Sequence, residues 1–301
     1  LINLSSDKPT AMTFLRQQRT IRRPVAVLGF GYHTGKDVRV EFRPAPAGAG
    51  ITFIREDLGL NARIPVRCEH RYEVPRRTCL KVGQVHVEMV EHILAALAGL
   101  QIDNCEIVVD QPEMPGCDGS AMAFVAAVES VGAVEQDREV NRLEITEHVA
   151  LTSGDMRIEA FPSATNSYTL EYTVDYPNDP VIGYQIASLE VTPELFRDEI
   201  APCRTFVLQR EADEMLRAGL GKRVRSHDLL IFGDKGPVSN RLRFDNECAR
   251  HKALDVIGDL ALTGCEIEGH IVAYRSGHRL NAAFAQELLR RFAGVTLKAS
   301  A

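Results

Sequence analysis

The stretch Phe244-Asp245-Asn246-Glu247-Cys248-Ala249-Arg250-His251-Lys252-Ala253-Leu254-Asp255-Val256-Ile257-Gly258-Asp259 decides how this chain is read. His251, Asp255 and Asp259 recur every four residues, which on a helix of about 3.6 residues per turn stacks them along one slowly drifting stripe. Leu254, Val256, Ile257, Leu260 and Ala261 make the rest of the helix apolar enough to bury, so the stripe is carried into surroundings of low dielectric. Buried carboxylates and imidazoles need partners. A divalent metal held by His251 and Asp255, with Asp259 one turn on as an acid or orienter, meets that need. Taken alone, a His and an Asp four apart on a helix more often form an ordinary surface pair; what favours the metal is the rest of the chain.

At 301 residues and 45% hydrophobic content the chain can bury one large core or two of about 150 residues each. A net charge of -6 argues against general nucleic-acid binding. Charge is uneven, however: between positions 217 and 243 stand Arg217, Lys222, Arg223, Arg225, Lys235, Arg241 and Arg243 against Asp228 and Asp234. Such a strip suits an anionic small molecule such as a diphosphate, or a solvated loop. The seven cysteines are odd in number and form no Cys-x-x-Cys pair, which fits a reducing cytoplasm with thiols acting as small hydrophobes. No apolar run reaches membrane-spanning length, and Leu1 to Thr20 read as a frayed start without signal-peptide pattern.

Strands are expected at Val25–Leu28, Val38–Phe42 and Ile51–Ile54, with a Gly-rich turn at Gly29–Gly35 and a hairpin-like region reaching about Val87. A helix over Val90–Leu100 precedes a strand over Cys105–Val109, and a second helix runs over Ser120–Val131 with Asp118 and Ser120 as caps. The pattern then restarts. Asp37, Arg39, Glu41 and Pro44 are answered at one constant offset by Asp155, Arg157, Glu159 and Pro162; at a larger offset Leu100 and Cys105-Glu106-Ile107 are answered by Leu260 and Cys265-Glu266-Ile267. The chain therefore reads as an internal duplication: two α+β domains of similar topology, over 20–135 and 143–295, the second carrying a basic insert near 207–243.

The larger offset also sets Glu91-His92 on His251-Lys252. If the equivalent helices pack face to face, the two ionisable pairs meet in the kind of crevice where ligands lie. His92 then becomes a third metal ligand, and two imidazoles plus one carboxylate leave a fourth position for water, the catalytic rather than structural zinc pattern. The same set also suits ferrous iron, as in a non-haem oxygenase. Glu91 is placed to act as the base. His278, expected in a loop after a strand over Ile271–Tyr274, is a general acid or oxyanion stabiliser if Asp259 contacts it. Arg204-Thr205-Phe206 offers a hydroxyl to an oxyanion, an effect worth about 3 kcal/mol when well placed, and His33 lies in the Gly-rich turn where substrate could touch it.

Gly31-Tyr32-His33-Thr34-Gly35-Lys36, Phe42-Arg43-Pro44-Ala45-Pro46, Val90-Glu91-His92 with Ala95-Ala96-Leu97-Ala98-Gly99, Met114-Pro115 through Asp118-Gly119-Ser120-Ala121, Arg204-Thr205-Phe206, His251-Lys252-x-x-Asp255-x-x-Gly258-Asp259 and Ser276-Gly277-His278 stand in the chain in that order. Together these motifs resemble the UDP-3-O-acyl-N-acetylglucosamine deacetylase family. The resemblance runs from about residue 20 to about residue 290. It implies a cytoplasmic zinc amidase, with one Zn2+ per chain, that removes acetate from UDP-3-O-(3-hydroxyacyl)-N-acetylglucosamine, the committed step of lipid A synthesis; a monomer without stable membrane insertion is expected. It also implies a β-α-α-β sandwich with the active site between the helix layers. By position His92, His251 and Asp255 would bind zinc and Glu91 would be the base. His278 with Asp259 would protonate the leaving amine, and Thr205 would hold the carbonyl oxygen. Lys252, Phe206 and His33 would contact substrate, Lys252 near the diphosphate. The other readings are a paralogue acting on a different UDP-linked N-acetylated sugar and a non-catalytic nucleotide-sugar binder. One departure stands out: where the family continues after Gly219-Leu220 with an apolar, Gly-Gly-Ser-containing segment lining the acyl passage, this chain has Gly221-Lys222-Arg223-Val224-Arg225-Ser226-His227-Asp228. A basic segment sits poorly against an alkyl chain unless its stems pack along it.

Overall fold

Two five-stranded sheets of identical strand order organise the computed structural model, which describes residues 15–292. In the first, the order is Val25–Phe30, Asp37–Pro44, Cys105–Val109, Ile51–Arg55, Arg63–Pro65. The second has Val149–Ser153, Met156–Phe161, Glu266–Tyr274, Tyr168–Tyr176, Gly183–Glu190. Each has one parallel pairing at the same place, the third strand against the fourth, and antiparallel pairings elsewhere. The residues matched at constant offset fall on equivalent strands: Glu41 and Glu159 on the second, Ile107 and Ile267 on the third. The second sheet gains a further strand, Arg142–Glu144, parallel to Glu266–Glu268. Alternation explains how each sheet finds its inner face. Val38, Val40 and Phe42 are buried while the residues between them are half-buried, as a strand period of two requires.

Among the described residues the α-helices are, in chain order, α1 (Glu91–Gly99), α2 (Met122–Val131), α3 (Pro193–Leu195, running into a π-helical turn at Phe196–Ile200), α4 (Gln209–Arg217), α5 (Glu247–Leu260) and α6 (His278–Phe292). Helix α1 is buried almost all round, from Glu91 to Leu97, which a helix tolerates only when covered on several sides. It packs on α5, which is buried at twelve of its fourteen positions. Small residues make the contact close: a Cβ on Gly258 of α5 would lie 2.1 Å from the carbonyl oxygen of Glu91. Gly99 similarly faces the Phe196 ring, 2.2 Å from where its Cβ would be.

Three expectations need correction. Residues 17–20, read as frayed, belong to a strand, Gln17–Ile21, which pairs with Ala133–Glu139 and is secured by Arg16 to Asp103 at 2.8 Å; the earlier part of that expected frayed start, residues 1–14, lies outside the described residues. The second helix starts at Met122 rather than Ser120, because Ser120 stays in the turn, its Oγ accepting the Met122 N–H at 3.2 Å while Asp118 Oδ1 accepts the Ser120 N–H and hydroxyl. His278 is the first residue of α6 and not a loop residue. The end of the second half, 293–295, lies outside the described residues.

Because Gly258 admits the Glu91 carbonyl, Gly258→Ala is expected to destabilise the protein by about 3 kcal/mol through overpacking, measured by denaturant unfolding. A change within about 0.5 kcal/mol, the range of neutral surface substitutions, would show that the two helices are not in tight contact.

Candidate active site

The packing of α1 on α5 brings His92 to His251 and Asp255. The two imidazole rings meet edge to face, with centroids 5.1 Å apart. Asp255 Oδ1 lies 3.4 Å from His251 Nε2 and 3.8 Å from His92 Nε2. Among the described residues this is the one group of His, Cys, Asp or Glu side chains spaced to hold a metal, with all ligand atoms within 4.8 Å of one another. The group fits a cation on a second ground. Asp255 Oδ1 is buried and has no hydrogen-bond partner among the described residues, and a buried charged acceptor left unpaired is costly. A divalent ion shared with the two Nε2 atoms satisfies it.

Surrounding groups fix the charge of each ligand. His251 Nδ1 meets the Cys203 carbonyl at 3.0 Å, so the proton sits on Nδ1 and the Nε2 lone pair faces the centre. Burial pushes His251 down to about 3 and lowers His92 as well, so both imidazoles are neutral ligands. Burial opposes ionisation of Asp255, but the Lys252 ammonium, with the His278 imidazolium adding to it, outweighs burial and holds the carboxyl well below its usual range. Lys252 Nζ donates to Asp255 Oδ2 at 2.9 Å. Burial alone would lower the Lys252 ammonium, yet Asp255 keeps it above the ordinary lysine value.

Two proton-carrying groups flank the cluster. Burial, reinforced by Asp255 and Asp259 and offset by His278, pushes Glu91 up to about 7. His278 Nδ1 donates to Asp259 Oδ2 at 2.9 Å and its Nε2 points back to Asp255 Oδ2, 3.9 Å away. Burial disfavours charging His278, but Asp259 and Asp255 prevail and hold it up at about 9. One wall thus carries a carboxyl poised to take a proton and another an imidazolium poised to give one.

Glu91, His92, His251, Lys252, Asp255, His278, Thr205, Phe206 and His33 all line one cavity of about 660 Å³. Asp259 stands behind it, fully buried. Thr205 is placed by its neighbours: its N–H donates to Gly119 O at 2.7 Å, and the preceding Arg204 is locked to Glu247 of α5 at 2.8 Å. The Phe206 ring stands edge-on to His251.

Sequence reasoning missed several residues that hold this arrangement. Glu113 accepts the His33 N–H at 2.7 Å, His33 Nδ1 at 3.0 Å, and the Thr34 N–H and hydroxyl at 2.8 and 2.6 Å. Burial opposes its ionisation, but these donors keep it down at about 2. The close fit of Gly31, where a Cβ would lie 2.3 Å from the Glu113 carboxylate, explains the glycine in that turn. The only signal for Glu113 was its place in the Pro-rich turn after a strand. Thr78 and Asn281, which donate to Asp259 at 2.5 and 2.9 Å, carried no signal at all.

The basic segment turns its charges outward. The Arg223 guanidinium lies 4.2 Å over the Phe30 ring and donates to Gly35 O and Asp37 Oδ1 at 3.1 and 2.6 Å. Arg225 donates to the carbonyls of Lys222 and Val224. Of residues 221–228, only Gly221 and Val224 line the cavity, beside Leu216, Leu220, Met215 and Ile231. Lys222, Arg223 and Arg225 thus leave the apolar wall of the cavity to its uncharged neighbours.

The sequence model of a family described as UDP-3-O-acyl N-acetylglycosamine deacetylase (LpxC) matches residues 18–290. The chain belongs to that family. It is 39% identical over 275 residues to the UDP-3-O-acyl-N-acetylglucosamine deacetylase of Chlamydia caviae, covering 91% of this chain and 97% of the relative. To the enzyme of that name from Chlamydia abortus it is 38% identical, with the same coverage. To that of an Anaeromyxobacter species it is 38% identical over 90% of this chain and 88% of the relative. In this LpxC family member no described helix is long and apolar enough to cross a membrane.

A cation in the cluster stabilises the native state by mass action, by about 2.7 kcal/mol at a hundredfold excess over Kd. Chelation is therefore expected to lower the thermal midpoint by about 5 °C, and added zinc to restore it. Asp255→Ala is expected to abolish the response; a midpoint indifferent to chelator in the unmodified protein would count against a metal at this cluster.

Proposed function

We propose that the chain hydrolyses the acetamide of UDP-3-O-(3-hydroxyacyl)-N-acetylglucosamine, releasing acetate in the synthesis of lipid A. The observation that carries this reading is the orphaned Asp255 Oδ1, facing two neutral imidazoles beside a carboxyl and an imidazolium of opposite proton duty.

His92, His251 and Asp255 would hold one zinc ion, which when bound polarises the amide carbonyl and makes water acidic enough to act as a nucleophile near neutral pH. Glu91 takes the proton of the attacking water. Thr205 donates its hydroxyl to the carbonyl oxygen as negative charge gathers there. His278, held by Asp259, delivers a proton to the departing amine, so the sugar leaves as a free amine and acetate remains. Lys252 offers positive charge to the substrate's diphosphate side, and Phe206 and His33 supply the cavity walls against which the sugar lies. The apolar lining from Met215, Leu216, Leu220 and Val224 suits the acyl chain.

The same reading takes 20–135 and 143–295 as two domains of a β-α-α-β sandwich, each sheet backed by its own helices, with the insert near 207–243 serving the second. A monomer suffices, since both halves of the site come from one chain. Seven free cysteines support a reducing cytoplasmic setting.

Acetate release from the UDP-3-O-acyl sugar is expected to vanish on chelation and return with zinc; release untouched by metal removal ends the zinc mechanism. A series of acyl lengths separates this substrate from other UDP-linked N-acetylated sugars, because turnover must rise once the chain is long enough to fill the apolar lining. Glu91→Gln is expected to lower kcat about a thousandfold.

Activity should also follow a bell-shaped pH curve. Glu91 must be ionised to accept a proton, so kcat/KM climbs through about pH 7; His278 must be protonated to donate, so it declines through about pH 9. A profile without the upper limb in the wild type would remove His278 as the acid.

A further inference from the structure

Base and acid sit on opposite halves of the chain, Glu91 on α1 and the His278–Asp259 pair on α6 and α5. One residue touches both sides. Thr78, fully buried just ahead of the strand Cys79–Val82, donates its N–H to Glu91 Oε2 at 3.0 Å and its hydroxyl to Asp259 Oδ1 at 2.5 Å. Its carbonyl accepts the N–H of Val90, the residue before α1, at 3.2 Å. We infer that Thr78 is a positioning residue for the reaction: its hydroxyl fixes the Asp259 carboxylate, and through it the His278 ring, relative to Glu91. This rests on the roles proposed above for those three residues.

The geometry of Asp259 shows what the hydroxyl contributes. An ionised carboxylate only accepts, and Oδ2 already takes two donors, His278 Nδ1 and Asn281 Nδ2, each at 2.9 Å. Among the described side chains, Oδ1 takes Thr78 alone. The terminal torsion of an aspartate is broad, so without that donor the plane of the carboxylate is set from one side only. With it, Oδ1 is tied to the first half and Oδ2 to the second. The link crosses between the halves where α1 and α5 are in close contact, at Gly258 and the Glu91 carbonyl. Neither Thr78 nor Asp259 lines the cavity. Thr78 therefore acts on substrate only through the groups it holds, and a shift of about 1 Å in such groups can cost about a hundredfold in rate.

The test compares Thr78→Val, which keeps size and N–H but loses the hydroxyl, with Thr78→Ser, which keeps both donors. For each, kcat, KM, bound zinc and thermal midpoint are measured on the zinc-loaded full chain with the UDP-3-O-acyl sugar. Thr78→Val is expected to lose about 10- to 100-fold in kcat with KM within about twofold and zinc content unchanged. Thr78→Ser is expected to stay within about threefold of wild type. In an Asp259→Ala background, Thr78→Val should cost less than about twofold, because the hydroxyl no longer has its partner. The inference is overturned by any one of four results: Thr78→Val turning over like wild type, Thr78→Ser being equally impaired, the loss following zinc content, or the loss persisting in full without Asp259. Should Thr78→Val fail to fold, Thr78→Cys, a weak donor of similar size, replaces it, and wild-type kcat there is equally fatal. A wild type that releases no acetate sinks the proposed function instead, so the two failures are distinguishable.

Discussion

A single buried carboxylate, Asp255, sets the terms for the rest of the molecule. It sits in the contact between helices from the two halves, with one oxygen paired to Lys252 and the other aimed at two imidazole nitrogens. Such a charge is tolerable only where compensation is organised around it. The close approach of α1 and α5, made possible by Gly258, carries His92 to it from the other half. The same contact places Glu91 on one side and His278 on the other, and their protonation follows from where each lies relative to that charge: Glu91 is buried near two acids, His278 is bonded to one and faces another.

The two halves share a sheet topology but diverge in the small sheets that flank the cavity. The first contributes a small three-stranded sheet, Arg71–Tyr72, Cys79–Val82 and Val85–Glu88, and the second another, Phe206–Leu208, Leu230–Gly233 and Gly236–Pro237. Thr78 comes with the one, and Thr205, Phe206 and the apolar wall with the other. The insert of the second half is fastened to the first by Arg223 on Phe30 and Asp37 and by Arg243 on Asp118 at 2.7 Å. Charges that looked like a ligand strip in the sequence thus serve in part as fastenings, leaving Val224 to face the cavity.

What the sequence made legible was whatever repeats at a short, fixed period or at a constant offset. The four-residue spacing of His251, Asp255 and Asp259 is a property of one helix, and the offset that set Glu91-His92 against His251-Lys252 led directly to the helix pair that the structure packs together. Roles that depend on distant partners were not legible. Glu113 matters because a turn some eighty residues earlier presents four donors to it, and Thr78 because Asp259 lies across the interface. The strand Gln17–Ile21 escaped notice because its partner, Ala133–Glu139, is over a hundred residues away, and no local period marks such a pairing. His278 was read into a loop because Ser276-Gly277 looks like a turn, whereas the turn is short and the helix begins at the histidine itself.

Closure of the two halves over one shared cation is tested most directly by anomalous diffraction at the zinc edge, from crystals of protein purified without added metal and from crystals soaked in zinc. One peak per chain is predicted, bonded at about 2.0–2.2 Å to His92, His251 and Asp255. Density for those three side chains with no peak between them in either crystal, or a peak held by other residues, would contradict it.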